Sequence, residues 1–404
     1  MPAPANNLPS RASSPHHHGS HRRLLSEPHH TPRNDSTVDA IIVPTARPSA
    51  YLRTAIQVAS DLGCTLVALC SQRASARDAE RRAWAAGIEL VTIDVEKLPV
   101  GLLPPFETSK LLTNTPFEMR SDLSTKRNLG LLLARVAGWN RIVFLDDDID
   151  VPEPGDLVES VSLLSEHSGV GLRIQGFPDN SVVCHAYREA GGLQETFVGG
   201  GALAVGAESM RSFFPNVYNE DWFFLLDDVR LRPTAVTGRV IQEPYDPFAD
   251  DRRARAEEFG DTLAEGVYSL LDHGRRVQDA DLAFWQDFLR SRRRFINQVI
   301  IMVEASDKAP EAKRRMITSL KAARGRSELV SPQICIDFLR AWRIDRSRWR
   351  RHVDMLCRPN RTRLPIEKLL SELGLMNCGR YITTTEKVAI PSAGRAPGSR
   401  RRVS

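Results

Sequence analysis

Four carboxylates crowd together at Asp146, Asp147, Asp148 and Asp150, directly after the apolar run Ile142 to Leu145. Carboxylates this close repel one another, and a divalent cation that takes hard oxygen ligands, Mg2+ or Mn2+, relieves the repulsion. Such an ion bridges the two phosphates of a nucleotide and takes up charge on a leaving diphosphate. If the strand runs on through the cluster, alternation turns Asp146, Asp148 and Asp150 to one side. Asp146 and Asp148 are then the metal-ligand candidates. A solvated acidic loop is the plainer reading, and the buried strand ahead of the cluster weighs against it. A second acidic pair, Glu220 and Asp221, precedes the apolar run Trp222 to Leu226. A helix start favours a carboxylate through the macrodipole, which accounts for one of the two. The other has the chemistry of a general base that accepts the proton of an attacking hydroxyl.

The elements that must position these groups alternate in period. From Val38 onward, short apolar runs suited to strands alternate with helical spacing, the pattern of an α/β sheet. Strands are expected at 38–44, 65–71, 89–95 and 141–150, with helices beginning at Ser49, ending near Ala86, and spanning 124–138 up to Gly138. Further strand-like segments lie at 169–176, 181–187 and 202–206, followed by a helix near 207–214. In open α/β sheets ligands bind beyond the carboxyl ends of the strands, which is where the residues after Leu145 fall. From about residue 252 the strand signal fades into helices rich in Arg and Glu. The expected organisation is a disordered tail over 1–35, a catalytic α/β domain over 36–250, a helical region over 251–378 and a disordered basic tail over 391–404.

Ahead of the acidic cluster stand Lys126, Arg127, Asn128 and Gly130, and beyond it Gly199, Gly200 and Gly201, before Glu220 and Asp221. This order over residues 38–245 resembles the family 2 glycosyltransferases and their GT-A relatives. The resemblance implies a GT-A fold, a Rossmann-like and mostly parallel central sheet flanked by helices, here with a helical C-terminal appendage. It implies transfer of a sugar from a nucleotide diphosphate to a hydroxyl acceptor, with Mn2+ or Mg2+ as cofactor. Asp146 and Asp148 would hold the metal, with His273 as a third ligand on the pattern of some GT-A enzymes, although a helix end explains His273 equally well. Pro44, Arg47, Lys126, Arg127, Asn128, Asp146, Asp147 and Gly199 to Gly201 would border the donor. Asp221, beside Glu220, would be the base, and the reaction would invert the sugar. The second strand ends Cys70-Ser71-Gln72 without the acid that many family members use to read the base, so that task passes to Asp94, Arg47 or Arg73. The competing readings are a non-catalytic binding protein on a GT-A-like fold, a haloacid-dehalogenase-like phosphatase built on Asp148-Ile149-Asp150-Val151, and a sugar nucleotidylyltransferase. The last lacks a glycine-rich loop after the first strand.

Composition narrows the classes further. The net charge is +5, but Arg11, Arg22, Arg23 and Arg33 lie before residue 36, and Arg395, Arg400, Arg401 and Arg402 after residue 390. The basic excess belongs to the ends, and no basic face for nucleic acid is expected on the folded part. The run Arg290, Arg292, Arg293, Arg294 reads as a solvated helix face, with diphosphate or acidic-acceptor binding as the rival. Six cysteines without a CxxC pair read as buried thiols. No apolar stretch reaches the ~20 residues of a membrane span, and no secretion signal is apparent. The expected location is therefore the cytoplasm. His16, His17 and His18 form a tract that is either metal-binding or a tag remnant.

Overall fold

The computed structural model describes residues 14–17, 19–28, 36–177, 180–357 and 365–383. The expected basic tail over 391–404 lies outside the described residues. Nine strands form one sheet: β1 (Ala40–Thr45), β2 (Thr65–Cys70), β3 (Leu90–Asp94), β4 (Arg141–Leu145), β5 (Ile149–Asp150), β6 (Gly169–Gly176), β7 (Ala202–Gly206), β8 (Thr234–Gln242) and β9 (Gly379–Ile382). Their spatial order is β5-β8-β6-β7-β4-β1-β2-β3-β9. The central strands β4, β1, β2 and β3 are parallel, β7 pairs antiparallel with both β4 and β6, and β6 runs parallel to β8.

The central strands read as unbroken apolar runs because helices cover both faces, and every residue of β1 and β2 is buried. Pro44 is tolerated in a central strand because β1 pairs with β4 only over Ala40 to Ile42, so its missing N–H breaks no bond on that side. The first helices are α1 (Arg53–Leu62), α2 (Ala76–Ala86), α3 (Glu107–Leu112), α4 (Leu123–Ala137), α5 (Gly155–Ser162), α6 (Val182–Glu189) and α7 (Glu220–Leu225). Helix α4 lies hard against the sheet. A Cβ at Gly130 would come within 2.8 Å of Ile42 Cγ2 and 3.1 Å of Phe144 Cε1, so only glycine admits this approach.

The later helices are α8 (Asp251–Asp272), α9 (Leu282–Ala305), α10 (Pro310–Leu329), α11 (Pro332–Leu356) and α12 (Ile366–Glu372). They do not form a separable appendage. Phe259, Leu263, Tyr268, Phe338 and Trp342 share one core with Phe144, Phe214 and Phe223, and β9 closes the sheet edge beside β3. No helix among the described residues is long and apolar enough to cross a membrane.

Three expectations fail for identifiable reasons. The segment 181–187 is helical rather than extended. Ser181 caps it by accepting the Cys184 N–H, and a short apolar run cannot be assigned by period alone. Residues 207–214 form only a single 3-10 turn, Ser209–Arg211, before extending again. The N-terminal segment, expected to be disordered for want of apolar side chains, is ordered over 14–17 and 19–28 by polar and backbone pairing. Ser26 donates to the Thr234 carbonyl at 3.0 Å and accepts from the Val236 N–H at 2.9 Å. Arg23 reaches Asp272 Oδ1 at 2.7 Å, and Arg22 reaches Glu195 at 3.1 Å.

Candidate active site

Strand β4 ends at Leu145, and Asp146 to Asp148 form a turn closed by the Ile149 N–H on the Asp146 carbonyl at 3.2 Å. Strand alternation therefore does not orient the cluster, and each carboxylate has its own surroundings. Asp147 accepts Thr45 Oγ1 at 2.5 Å and Arg47 Nε at 2.8 Å, and so ties the turn to the end of β1. Arg47 also lies 3.0 Å from Asp148 and stacks over Tyr51. Asp146 takes Arg127 Nη2 at 3.2 Å on both oxygens, and the other arm of that guanidinium reaches Glu220.

Asp148 has Arg47 as its counter-charge, shared with Asp147. Burial and the neighbouring Asp146 push it up to about 6, against the pull of Arg47. It carries hard oxygen atoms in a partly buried turn where three carboxylates share two guanidiniums, Arg47 and Arg127, a surplus of negative charge that fits a divalent cation. The donor set nearest to it is already partly satisfied by Arg47 and Arg127.

Arg127 is buried and bridges Asp146 to Glu220 across the cleft floor. Burial and Asp221 push the Glu220 carboxyl up, and Arg127 draws it back. The glycine run is explained at the same point. A Cβ on Gly200 would lie 2.6 Å from Arg127 Cζ, and one on Gly201 would lie 2.9 Å from Asp146 Oδ2. Only bare backbone passes between the guanidinium and the acidic turn.

Asp221 stands in the first turn of α7. Its Oδ2 accepts the Gly200 N–H at 2.5 Å, and its Oδ1 accepts the Trp222 N–H at 2.9 Å. Asn219, just before, adopts a left-handed φ of 61° and donates to Asp261 at 3.2 Å. Asp261 in turn pairs with Arg292 at 2.6 Å, and Glu258 pairs with the same arginine at 2.8 Å. Arg292 is thus a buried structural cation. Arg293 donates to the Ser327 and Val330 carbonyls, so neither residue belongs to the solvated face expected for the 290–294 run.

Two cavities flank these groups. The larger, about 690 Å³, is lined by Tyr51, Arg53, Arg82, Asp147, Asp148 and Glu243 among others, a size suited to a nucleotide-scale ligand. The smaller, about 40 Å³, includes Gly199, Asp221, Trp222, Gln194 and Glu265. Asp146 and Glu220, joined by Arg127, are the chain neighbours of Asp147 in the first cavity and of Asp221 in the second.

Other expected site residues are placed elsewhere or spent on the fold. Lys126 is buried and donates to the Thr45 carbonyl at 2.9 Å and to Ser71 at 2.6 Å, holding the ends of β1 and β2 together. Asn128 exchanges two 2.8 Å bonds with the Phe214 backbone. Asp94 pairs with Lys97 at 2.6 Å at the carboxyl end of β3, and the Arg73 N–H donates to the Ala46 carbonyl at 3.2 Å. His273 is exposed at the end of α8, with Nδ1 2.7 Å from the Ser269 carbonyl. Among the described residues it forms no three-ligand group with Asp146 and Asp148 within 4.8 Å. Sequence reasoning missed Thr45, Arg53, Arg82 and Glu243. Glu243 follows β8, whose mixed pattern gave no clear signal for it.

No family model matches the chain, and no curated protein matches it. Among solved structures it is similar to a mannosyltransferase from Pyrobaculum calidifontis in complex with GDP-Man and Mn2+. The two are 13% identical, the match covers 83% of this chain and 92% of that one, and the TM-score is 0.41. A likeness at that level leaves the family of this chain open.

Proposed function

We propose that the protein is a glycosyltransferase of the GT-A kind, moving a sugar from a nucleotide diphosphate to a hydroxyl acceptor. The observation that carries this reading is the junction of the acidic turn with the glycine run and the Glu220-Asp221 pair through one buried arginine, Arg127. The larger cavity beside Asp147 and Asp148 takes the donor, and Asp221 marks the acceptor side.

Asp148, with Asp146, would hold Mn2+ or Mg2+, which when bound neutralises the donor diphosphate. Arg47 and Asp147 fix the turn from the β1 side. Two backbone N–H groups orient the Asp221 carboxylate, whose oxygens only accept and so have the chemistry to take the proton of the incoming hydroxyl. A base placed opposite the leaving diphosphate gives single displacement with inversion.

A screen of UDP-, GDP-, ADP- and TDP-sugars for Mn2+-dependent thermal stabilisation tests the reading, because a ligand that binds the native state raises its stability by mass action. One nucleotide should stand out, and Asp148→Ala should abolish its effect while the metal-free protein keeps its unfolding midpoint. Equal stabilisation of the Asp148→Ala protein would refute the assignment.

A further inference from the structure

The histidine tract supplies a side chain that the sugar-transfer reading does not use. His17 is drawn into the protein, stacked on Phe295 at 4.4 Å, with its side chain only 3% exposed. Its Nε2 lies 2.5 Å from Gln194 Oε1. A carbonyl oxygen only accepts, so Nε2 carries the hydrogen and Nδ1 carries the lone pair. That lone pair faces Glu265 Oε2 at 4.0 Å. Glu265 Oε2 also accepts from His21 Nε2 at 3.0 Å, so the His17 lone pair faces, across a buried gap, a carboxylate that His21 already holds ionised. Cys184 completes the group from α6, since one ligand atom from each of His17, Cys184 and Glu265 lies within 4.8 Å of the other two.

We propose that His17 Nδ1, Cys184 Sγ and Glu265 form a binding site for a borderline divalent cation of the zinc or cobalt type, which ties the N-terminal segment to α6 and α8. The donor set of one nitrogen, one sulfur and one oxygen suits such an ion better than Mg2+ or Ca2+. Gln194 does for His17 what outer partners do for metal-bound imidazoles: it fixes the tautomer and the ring. Binding releases one proton, from the Cys184 thiol to solvent; the thiolate and the Glu265 carboxylate then face the two positive charges, and His21, which also contacts Glu265, keeps Asp272 as its counter-ion. That pairing of charge is what makes an ion admissible at this depth. Burial lowers the His17 pKa, against Glu265 and the Gln194 hydrogen bond, which keeps the ring neutral and able to ligate. Cys184, Gln194 and Glu265 all border the cavity of about 40 Å³, enough for a water in the fourth position. Ligand atoms of a tetrahedral site with bonds of ~2.0–2.3 Å stand about 3.4–3.8 Å apart. Binding thus draws the three side chains together, chiefly by movement of His17 on its short segment.

Co2+ titration of the full-length protein, followed by absorption, tests this. One equivalent should bring visible d–d bands together with a near-ultraviolet thiolate-to-cobalt charge-transfer band. Cys184→Ser should lose that band, and Gln194→Ala should weaken binding about 10–100-fold, as removal of an outer partner does. A His16→Ala/His18→Ala protein should keep the band, which separates the site from the rest of the tract, and Asp148→Ala should keep it, which separates the site from the acidic turn. Should Cys184→Ser fold poorly, His17→Ala, altered on the peripheral segment, must still lose the band. Zn2+ should also slow tryptic cleavage after Arg22 and Arg23 in the parent and not in His17→Ala. Absence of a charge-transfer band in the parent, or its survival in Cys184→Ser or His17→Ala, overturns the proposal.

Discussion

Placing a methyl group at Gly200 probes the junction of the site more sharply than removing any carboxylate. The glycine φ is not in the left-handed region, so alanine meets no backbone penalty there and the cost is steric alone. The new Cβ would lie 2.6 Å from Arg127 Cζ and closer still to Nη1. Long arginines usually swing aside at little cost, but this one is buried, paired with Glu220 and Asp146, and set over the Phe214 ring at 5.7 Å. To make room it must leave at least one carboxylate, and breaking a buried pair costs about 3–5 kcal/mol. Arg127→Ala alone should cost about the same and also vacates the space that the methyl needs. The double variant should therefore be no less stable than Arg127→Ala, giving an interaction as large as the Gly200→Ala cost itself, about 3–5 kcal/mol, at or above the upper end of measured couplings. Urea unfolding of the parent, both single variants and the double variant reads this directly, and domains of ordinary stability, about 5–15 kcal/mol, keep a folded population through the series. Costs that add within about 0.5 kcal/mol would show that Gly200 and Arg127 do not share a space, and the account of the glycine run would fall.

Three further outcomes follow from the same geometry. Asp221→Asn should keep donor and metal binding but lose turnover by about 10²-fold or more, the usual contribution of a placed base; a product with retained anomeric configuration by NMR would end the base role even if turnover fell. Gly260→Ala should lower the thermal midpoint, although alanine is the better helix former by about 1 kcal/mol. The added Cβ would meet the Tyr218 backbone at 2.7 Å and 2.8 Å on N and C, which cannot swing away, so a raised midpoint would contradict the packing. Truncation after residue 250 should give a chain without cooperative unfolding, because α8 and α11 bury Phe223 and its neighbours; a sharp calorimetric transition in the truncated chain would refute this.

What the sequence revealed and what it hid divide along a physical line. The parallel centre was legible because strands buried on both faces must be continuously apolar, and β1, β2 and β4 have no other reading. The acidic cluster and the Glu220-Asp221 pair stood out because like charges gather only at a cost, whereas the turn at Asp146 to Asp148 and the arginines that hold these groups were not legible. Strand β8 was hidden: TAVTGRVIQ mixes buried and exposed positions around Gly238 and carries only a weak alternation. The roles of Lys126 and Asn128 were hidden for another reason. A polar side chain within a motif looks the same whether it holds a ligand or a neighbouring backbone carbonyl, and only burial with fixed partners separates the two. The N-terminal segment was the largest miss, since reasoning from apolar content cannot register order that comes from ion pairs and backbone bridging with, among its described residues, only the apolar Leu24 and Leu25 packed on the core.

The helical region is coupled to the site by more than proximity. From Arg292 on α9 a line of hydrogen bonds and ion pairs runs through Asp261 on α8 to Asn219, which sets the left-handed step into α7. That step aims Glu220 at Arg127 and Asp221 at the Gly200 N–H, and Arg127 closes the line on Asp146. Each link is a charged or amide group with little exposure, so each depends on its neighbour to avoid standing unpaired away from water. A disturbance at Arg292 should therefore reach Asp221 through Asn219 rather than remain a local loss of packing. Arg292→Met removes the charge while keeping much of the volume, and it leaves Glu258 and Asp261 facing each other. The protein should lose stability by roughly 3–5 kcal/mol, the cost of stranding buried partners. If the line is real, turnover should fall as well under conditions where the variant is fully folded, with donor affinity spared. Full turnover in a folded Arg292→Met protein would mean that the helices support the core and leave the geometry of Asp221 to α7 alone.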